Sequence, residues 1–340
     1  MDLKELSPKY AQSIWLDYIR RHLLRSGEFA RLVQEDGIRG VTSNPSIFEK
    51  AIVGSTNCDG ALARYKKRED QTASVIYEHL AVEDIQEAAV FLLPVYEASE
   101  RRDGYVSMEP SPYLAHDTQA TVDEATRLWK RVGRENLMIK VPATAEGIPT
   151  IRQSSAEVST STSRSSSLAR CVARSSRRTW AASKRSPRTA EISLARQRRE
   201  HVRQSTGRPR GSDAGGARAA PAAQQGELRS LVGKVAIASV RLAYQDWKEG
   251  CRGPRWQTLS ARGARPQRLL WASTSTKDPR FSDLLYVESL IGPYTVDTIP
   301  PATLDAFRDH GKADSRLEEK VEDARQVLAA LERMGISIPI

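Results

Sequence analysis

The sequence predicts an α/β fold built around a parallel β-sheet. Short apolar runs bounded by turn residues alternate with longer stretches of helical period along both ends of the chain. No glycine-rich phosphate loop follows the early strands, which leaves a dinucleotide-binding fold little support. The length, 340 residues, is enough for one large core or two ordinary domains. A closed (β/α) barrel and an open doubly wound sheet both fit this alternation.

The elements follow in order. The segment "SIWLDYI" is a first strand with Asp17 at its end. In "SGEFARLVQEDG" Ser26 is the expected N-cap and Gly37 the residue just past the helix. "IRGVTSNPSIF" is a short strand and turn, with Pro45 suited to the first turn of the next helix. The run "QTASVIYEHLAVEDIQEAAVFLLPVYEASE" is helical, and Pro94 predicts a division into more than one helix. Then come a strand in "DGYVSMEPSP", a helix in "DTQATVDEATRLWKRVG" and an apolar strand, "NLMIKVPAT".

The pattern resumes after residue 226. "LRSLVGKVAIASVRLAYQDWKEG" reads as one long amphipathic helix. "QRLLWAST" is a strand, "FSDLLYVESLIG" a helix, "YTVDTIP" a strand and "PATLDAFRDHG" a helix. "SRLEEKVEDARQVLAALERMG" is a charged amphipathic helix with Gly335 at its end.

Between these halves the pattern is lost. Residues 153–226 are rich in Ser, Arg and Ala, with few large apolar side chains, and composition predicts disorder there. The sequence thus divides into 1–152, 153–226 and 227–340. The charge follows the same division. Residues 154–225 hold 15 Lys and Arg against 4 Asp and Glu, while the rest holds 37 against 38. The net charge of +10 belongs to one segment and is weak evidence for a nucleic-acid partner.

Cys58, Cys171 and Cys251 match no zinc or disulfide spacing. No apolar run reaches membrane-spanning length, and "MDLKELSPKYAQ" has no leader pattern, so a cytoplasmic protein is expected. His22, His79, His116 and His310 receive no role, and His201 lies in the basic segment.

Lys140, inside "LMIKVPA", is the first candidate for chemistry. One reading is a strand-end lysine that reaches water. The other is a lysine in apolar surroundings, where desolvation favours a neutral amine able to attack a ketone. Asp17 and Glu109 stand at comparable places, the latter in "YVSMEPSP". Each alone reads as a solvated acid. Converging with Lys140 at the mouth of a barrel, they would supply the acid and base that Schiff-base chemistry needs.

These segments carry a resemblance. "GVTSNPSIFEKAI" (40–52) and "LMIKVPATAEGI" (137–148) resemble signature segments of the transaldolase family around its second and fourth strands. "PQRLLWASTSTKDP" and "TVDTIPPATLDAF" resemble strands seven and eight of the longer bacterial members. The resemblance covers residues 1–152 and 227–340. It implies a TIM-type (β/α)8 barrel, no metal or organic cofactor, and transfer of a dihydroxyacetone unit from a ketose phosphate to an aldose phosphate. It further implies that Lys140 forms the Schiff base, that Glu109 assists proton transfer and that Asp17 takes the hydroxyl proton that triggers cleavage. Asn44 would bind the three-carbon unit, Ser273 and Lys277 the phosphate region. Thr42 and Ser43 are expected only as turn and strand-end residues.

The family's fifth and sixth strands do not appear as written. Read one base upstream, with Ser as TCN and Thr as ACN, residues 154–167 permit the fifth-strand motif. Read one base downstream, residues 195–208 permit the sixth. Residues from about 153 to 226 are therefore expected to be encoded out of frame, with strands five and six missing or disordered. The family pattern also continues beyond "GISIPI" with a further helix, so a shortened C-terminus is expected. A chain lacking those parts is expected to lose activity. Two other readings stay open on the residues: a nucleic-acid-binding protein with a basic arm, and a barrel retained for binding without catalysis.

Overall fold

The computed structural model describes residues 3–52, 72–142, 144–151 and 222–336, the short strands 172–174 and 190–193, and residues 60, 63, 65 and 153. Most of the basic segment, with His201 and both stretches read in shifted frames, lies outside the described residues, as do Cys58 and Cys171.

Eight parallel strands close into a barrel in sequence order. They are β1 Gln12–Leu16, β2 Gly40–Val41, β3 Tyr105–Met108, β4 Leu137–Val141, β5 Val172–Arg174, β6 Ala190–Ser193, β7 Leu269–Ala272 and β8 Thr295–Ile299. Five registered pairs join β8 to β1. The open doubly wound alternative is thereby excluded.

Strands five and six were expected to be missing or disordered, and short segments stand in both places. Val172 pairs with Lys140, Ala173 with Ala190, and four residues of β6 with β7. Without them β4 and β7 would present unpaired N–H and C=O groups, which is costly. Segments of three and four residues are enough to pair those edges, although neither carries an apolar pattern that sequence reading could find.

Strand parity divides the core. Ile14, Leu16, Val106, Leu137, Ile139, Val141 and Ile299 belong to the layer under the helices. Trp15, Tyr105, Met138, Leu270, Ala272 and Val296 form the inner layer. Side chains alternate along a strand. Asp17 follows the parity of Trp15, Glu109 that of Tyr105 and Lys140 that of Met138, so all three face the barrel interior at the C-terminal ends of their strands.

Three helix expectations are corrected by local chemistry. Gly27, at φ 81°, holds the N-cap position of the helix Glu28–Glu35; Ser26, one residue earlier, ends the helix Arg21–Arg25 while its hydroxyl accepts the Glu28 N–H (3.3 Å). Gly37 follows it at φ 69° as expected. Ala73–Ala98 is one helix with Pro94 inside it. The carbonyl left without an N–H there belongs to Val90, which is 54% exposed and open to water. The long helix after residue 226 is two, Ala222–Leu231 and Val235–Arg252, separated at Gly233, whose φ is 81°. Among the described residues, no helix is long and apolar enough to cross a membrane.

The opposite end of the barrel is closed by a polar knot. Asp103, 3% exposed, accepts from Trp15 Nε1 (2.7 Å), Arg39 Nε (2.9 Å), Arg268 Nη2 (3.2 Å) and the Ser13 hydroxyl. Burial alone would raise its carboxyl, but the charges of Arg268 and Arg39 and the bonds from Ser13 and Trp15 outweigh it and hold it below the usual range.

Candidate active site

Lys140 is the penultimate residue of β4, and Glu109 immediately follows β3. Their pairing brings the Lys140 Nζ to 2.9 Å from Glu109 Oε1, with side chains 11% and 30% exposed. A carboxylate this close to the amine is placed to accept and return protons in nucleophilic chemistry at Lys140. The strand-end lysine reaching freely for water is not what the structure contains.

Asp17 follows β1 and donates its N–H to Ile299 O on β8 (2.9 Å). Its carboxylate is held at both oxygens. Thr42 Oγ1 donates to Oδ1 and Ser273 Oγ to Oδ2, each at 2.8 Å. An ionised carboxylate only accepts, so two hydroxyl donors fix its plane and leave its remaining lone pairs for a substrate hydroxyl. Thr42 is buried and, beyond its turn position, belongs to this network. Ser43 ties the rim together: its N–H reaches Ser107 Oγ (3.2 Å), and its hydroxyl donates to Ser107 O (2.5 Å).

Asn44 uses its amide oxygen to accept from the Ile47 N–H (2.9 Å), capping the helix Pro45–Ile52. The cap orients the side chain on the rim. Ser273, expected near the phosphate region, donates its hydroxyl to Asp17. It stands in the left-handed region at φ 56°, with its N–H on Thr298 Oγ1 (3.2 Å). Lys277 is exposed in the loop after β7, beyond the Asp17–Ser273 contact. The structure thus joins Glu109 with Lys140, and Asp17 with Thr42 and Ser273, at one end of one barrel.

Sequence reading missed Tyr77, which packs edge-on against Phe48 at 6.1 Å between ring centroids. Burial first, then the charges of Glu109 and Glu49, push its phenol up to about 12, so it stays protonated beside the site. It lies on the interior face of a long helix and carries no local motif. Thr42 and Ser273 were also invisible as Asp17's partners, because those contacts span 25 and 256 residues of chain.

A family model described as transaldolase/fructose-6-phosphate aldolase matches residues 14–160 and 213–339. Those ranges contain every candidate residue above and leave 161–212 unmatched, inside the segment where the sequence pattern is lost. "Transaldolase" of Thiobacillus denitrificans is 43% identical, over 99% of this chain and 92% of its own length. "Transaldolase 2" of Nostoc punctiforme is 41% identical, over 98% of this chain and 88% of its own. The chain belongs to the transaldolase/fructose-6-phosphate aldolase family.

Proposed function

We propose that this protein is a transaldolase of the pentose phosphate pathway, acting in the cytoplasm, whose Schiff-base residue is Lys140. The observation that carries the assignment of residues is the 2.9 Å contact of Lys140 with Glu109, on the same rim as Asp17. The donor is a ketose phosphate such as fructose 6-phosphate or sedoheptulose 7-phosphate.

Lys140 first gives a proton to Glu109. The free amine adds to the ketose carbonyl carbon, and loss of water, aided by the proton on Glu109, leaves an iminium. Asp17 takes the proton of the C4 hydroxyl. The C3–C4 bond breaks, its electron pair moves into the iminium, and an aldose phosphate departs. The three-carbon enamine then attacks the aldehyde carbon of the acceptor, and the new alkoxide takes its proton back from Asp17. Water releases the product ketose and restores the amine. Asn44 supports the reading as a rim amide fixed by its helix, able to donate to the held three-carbon unit. Lys277 contributes positive charge for the phosphate end.

The test is transfer from fructose 6-phosphate to a four-carbon aldose phosphate. The expected products are glyceraldehyde 3-phosphate and a seven-carbon ketose phosphate, with none formed by Lys140→Ala. Wild-type protein that forms neither, or a variant that forms both at the same rate, would overturn the reading.

A further inference from the structure

Asp297 is a buried acid that this chemistry does not use. It is the central residue of β8 and has no exposed surface. Register sets it between Ile14 of β1 and Trp271 of β7, both buried and apolar. Register partners on parallel strands point to the same face. The carboxyl is therefore walled by hydrocarbon and indole on the side under the helices.

Neither carboxyl oxygen has a hydrogen-bond partner among the described residues. The Thr274 hydroxyl, and to a smaller extent the Thr298 N–H, lie near enough to favour the charged form and so oppose burial, without making a bond of normal geometry. The charged groups of the surrounding elements are engaged elsewhere. Arg268, before β7, is on Asp103; Glu288, on the helix Leu285–Ser289, takes the Lys312 N–H; Arg308, on the helix Pro301–His310, is on Asp36. The charge that bears on Asp297 is that of Asp17, at the end of the adjacent strand, and it has the same sign.

We propose that Asp297 carries its proton in the folded protein at neutral pH, and that this neutral acid is a positioning residue for Asp17. An unpaired carboxylate in such surroundings is disfavoured far more than a protonated acid. Burial first, and then the charge of Asp17, push Asp297 up to about 8. The link to the rim runs through its chain neighbour. Thr298 Oγ1 accepts the Ser273 N–H (3.2 Å), and Ser273 Oγ donates to Asp17 Oδ2 (2.8 Å). Ionising Asp297 sets a second negative charge behind this chain of contacts.

The folded state binds this proton more tightly than the unfolded chain, whose value is 3.8. Stability is therefore complete below the unfolded value and falls as pH rises to about 8, after which it is level. Asp297→Asn keeps the shape of the neutral acid without the titration. Its melting temperature should match wild type near about pH 4, exceed it by a gap that widens toward about pH 8, and run parallel above. The wild-type infrared spectrum near neutral pH should contain the carbonyl band of a protonated, unhydrated carboxylic acid. That band should vanish in alkaline buffer and be missing from the variant. This band is read on wild-type protein and decides the protonation even if the variant does not fold. No such band near neutral pH, or a melting gap independent of pH, would overturn the proposal.

The positioning role rests on the proposed activity and is read separately. The wild-type kcat should fall above about pH 8, and Asp297→Asn should lack that limb. A limb unchanged in the variant would remove the positioning role while leaving the band and the melting gap intact.

Discussion

Replacing Asp103 by Asn is the sharpest test of what closes the lower end of the barrel. The carboxylate takes four donors: Ser13, Trp15, Arg39 and Arg268. An amide has one oxygen to accept with, and its NH2 group would face donors. Removing one partner of a buried ion pair costs about 3–5 kcal/mol. The side chains of Arg39 and Arg268 are 29% and 18% exposed and recover some solvation, which moves the pair toward the lower figure. Trp15, fully buried, loses the acceptor of its indole N–H, worth about 1–3 kcal/mol. These costs overlap, and the expected total is about 3–5 kcal/mol, against a whole stability of about 5–15 kcal/mol. In urea, with a slope of about 3 kcal/mol/M, the midpoint should fall by roughly 1 M or more at unchanged slope. Because the folded Asp103 is held below its ordinary value of 3.8, its contribution is present above that pH and lost as pH falls through the lowered value. The gap between wild type and variant should therefore be constant near neutrality and close in acid. A variant within about 1 kcal/mol of wild type at neutral pH, or a gap that stays constant into acid, would refute the account of the knot.

Two further outcomes follow from the same contacts. Glu109→Gln leaves Lys140 without a carboxylate at 2.9 Å, and kcat in the transfer assay should fall about 10²- to 10⁴-fold with the unfolding midpoint little changed. Retention of activity within a few-fold would remove Glu109 from proton transfer. Gly40→Ala would drive a Cβ into the ring of Trp15, which its bond to Asp103 keeps from moving aside. Denaturation should show a loss of about 1–3 kcal/mol, and a neutral result would mean that β2 does not lie against Trp15 as described.

Six of the eight strands were legible because each is a short apolar run between turn residues, from "SIWL" in β1 to "TVDTI" in β8. β5 and β6 were not, since neither "VAR" nor "AEIS" is an apolar run set off by turn residues. Pairing demanded by the edges of β4 and β7, not local propensity, assigns them. Pro94 was misread because the rule for proline ignores exposure, and Val90 lies where water can reach its carbonyl. Gly233 was misread in the other direction, as a residue a helix can tolerate. At the site, Lys140, Glu109 and Asp17 stood out through their places at strand ends. What held them did not. Asp103 was not singled out, since only the closed barrel brings Arg268 to it across 165 residues. Nothing local shows, either, that the left-handed backbone of Ser273 aims its hydroxyl at Asp17.

The central claim is that Lys140 is the nucleophile. Incubating the purified protein with fructose 6-phosphate, reducing with borohydride and mapping the digest by mass spectrometry addresses it directly. The account predicts a three-carbon dihydroxypropyl group on the peptide containing Lys140, dependent on substrate and missing from Lys140→Ala. A stable adduct on any other lysine, or none under conditions where transfer is measured, would contradict it.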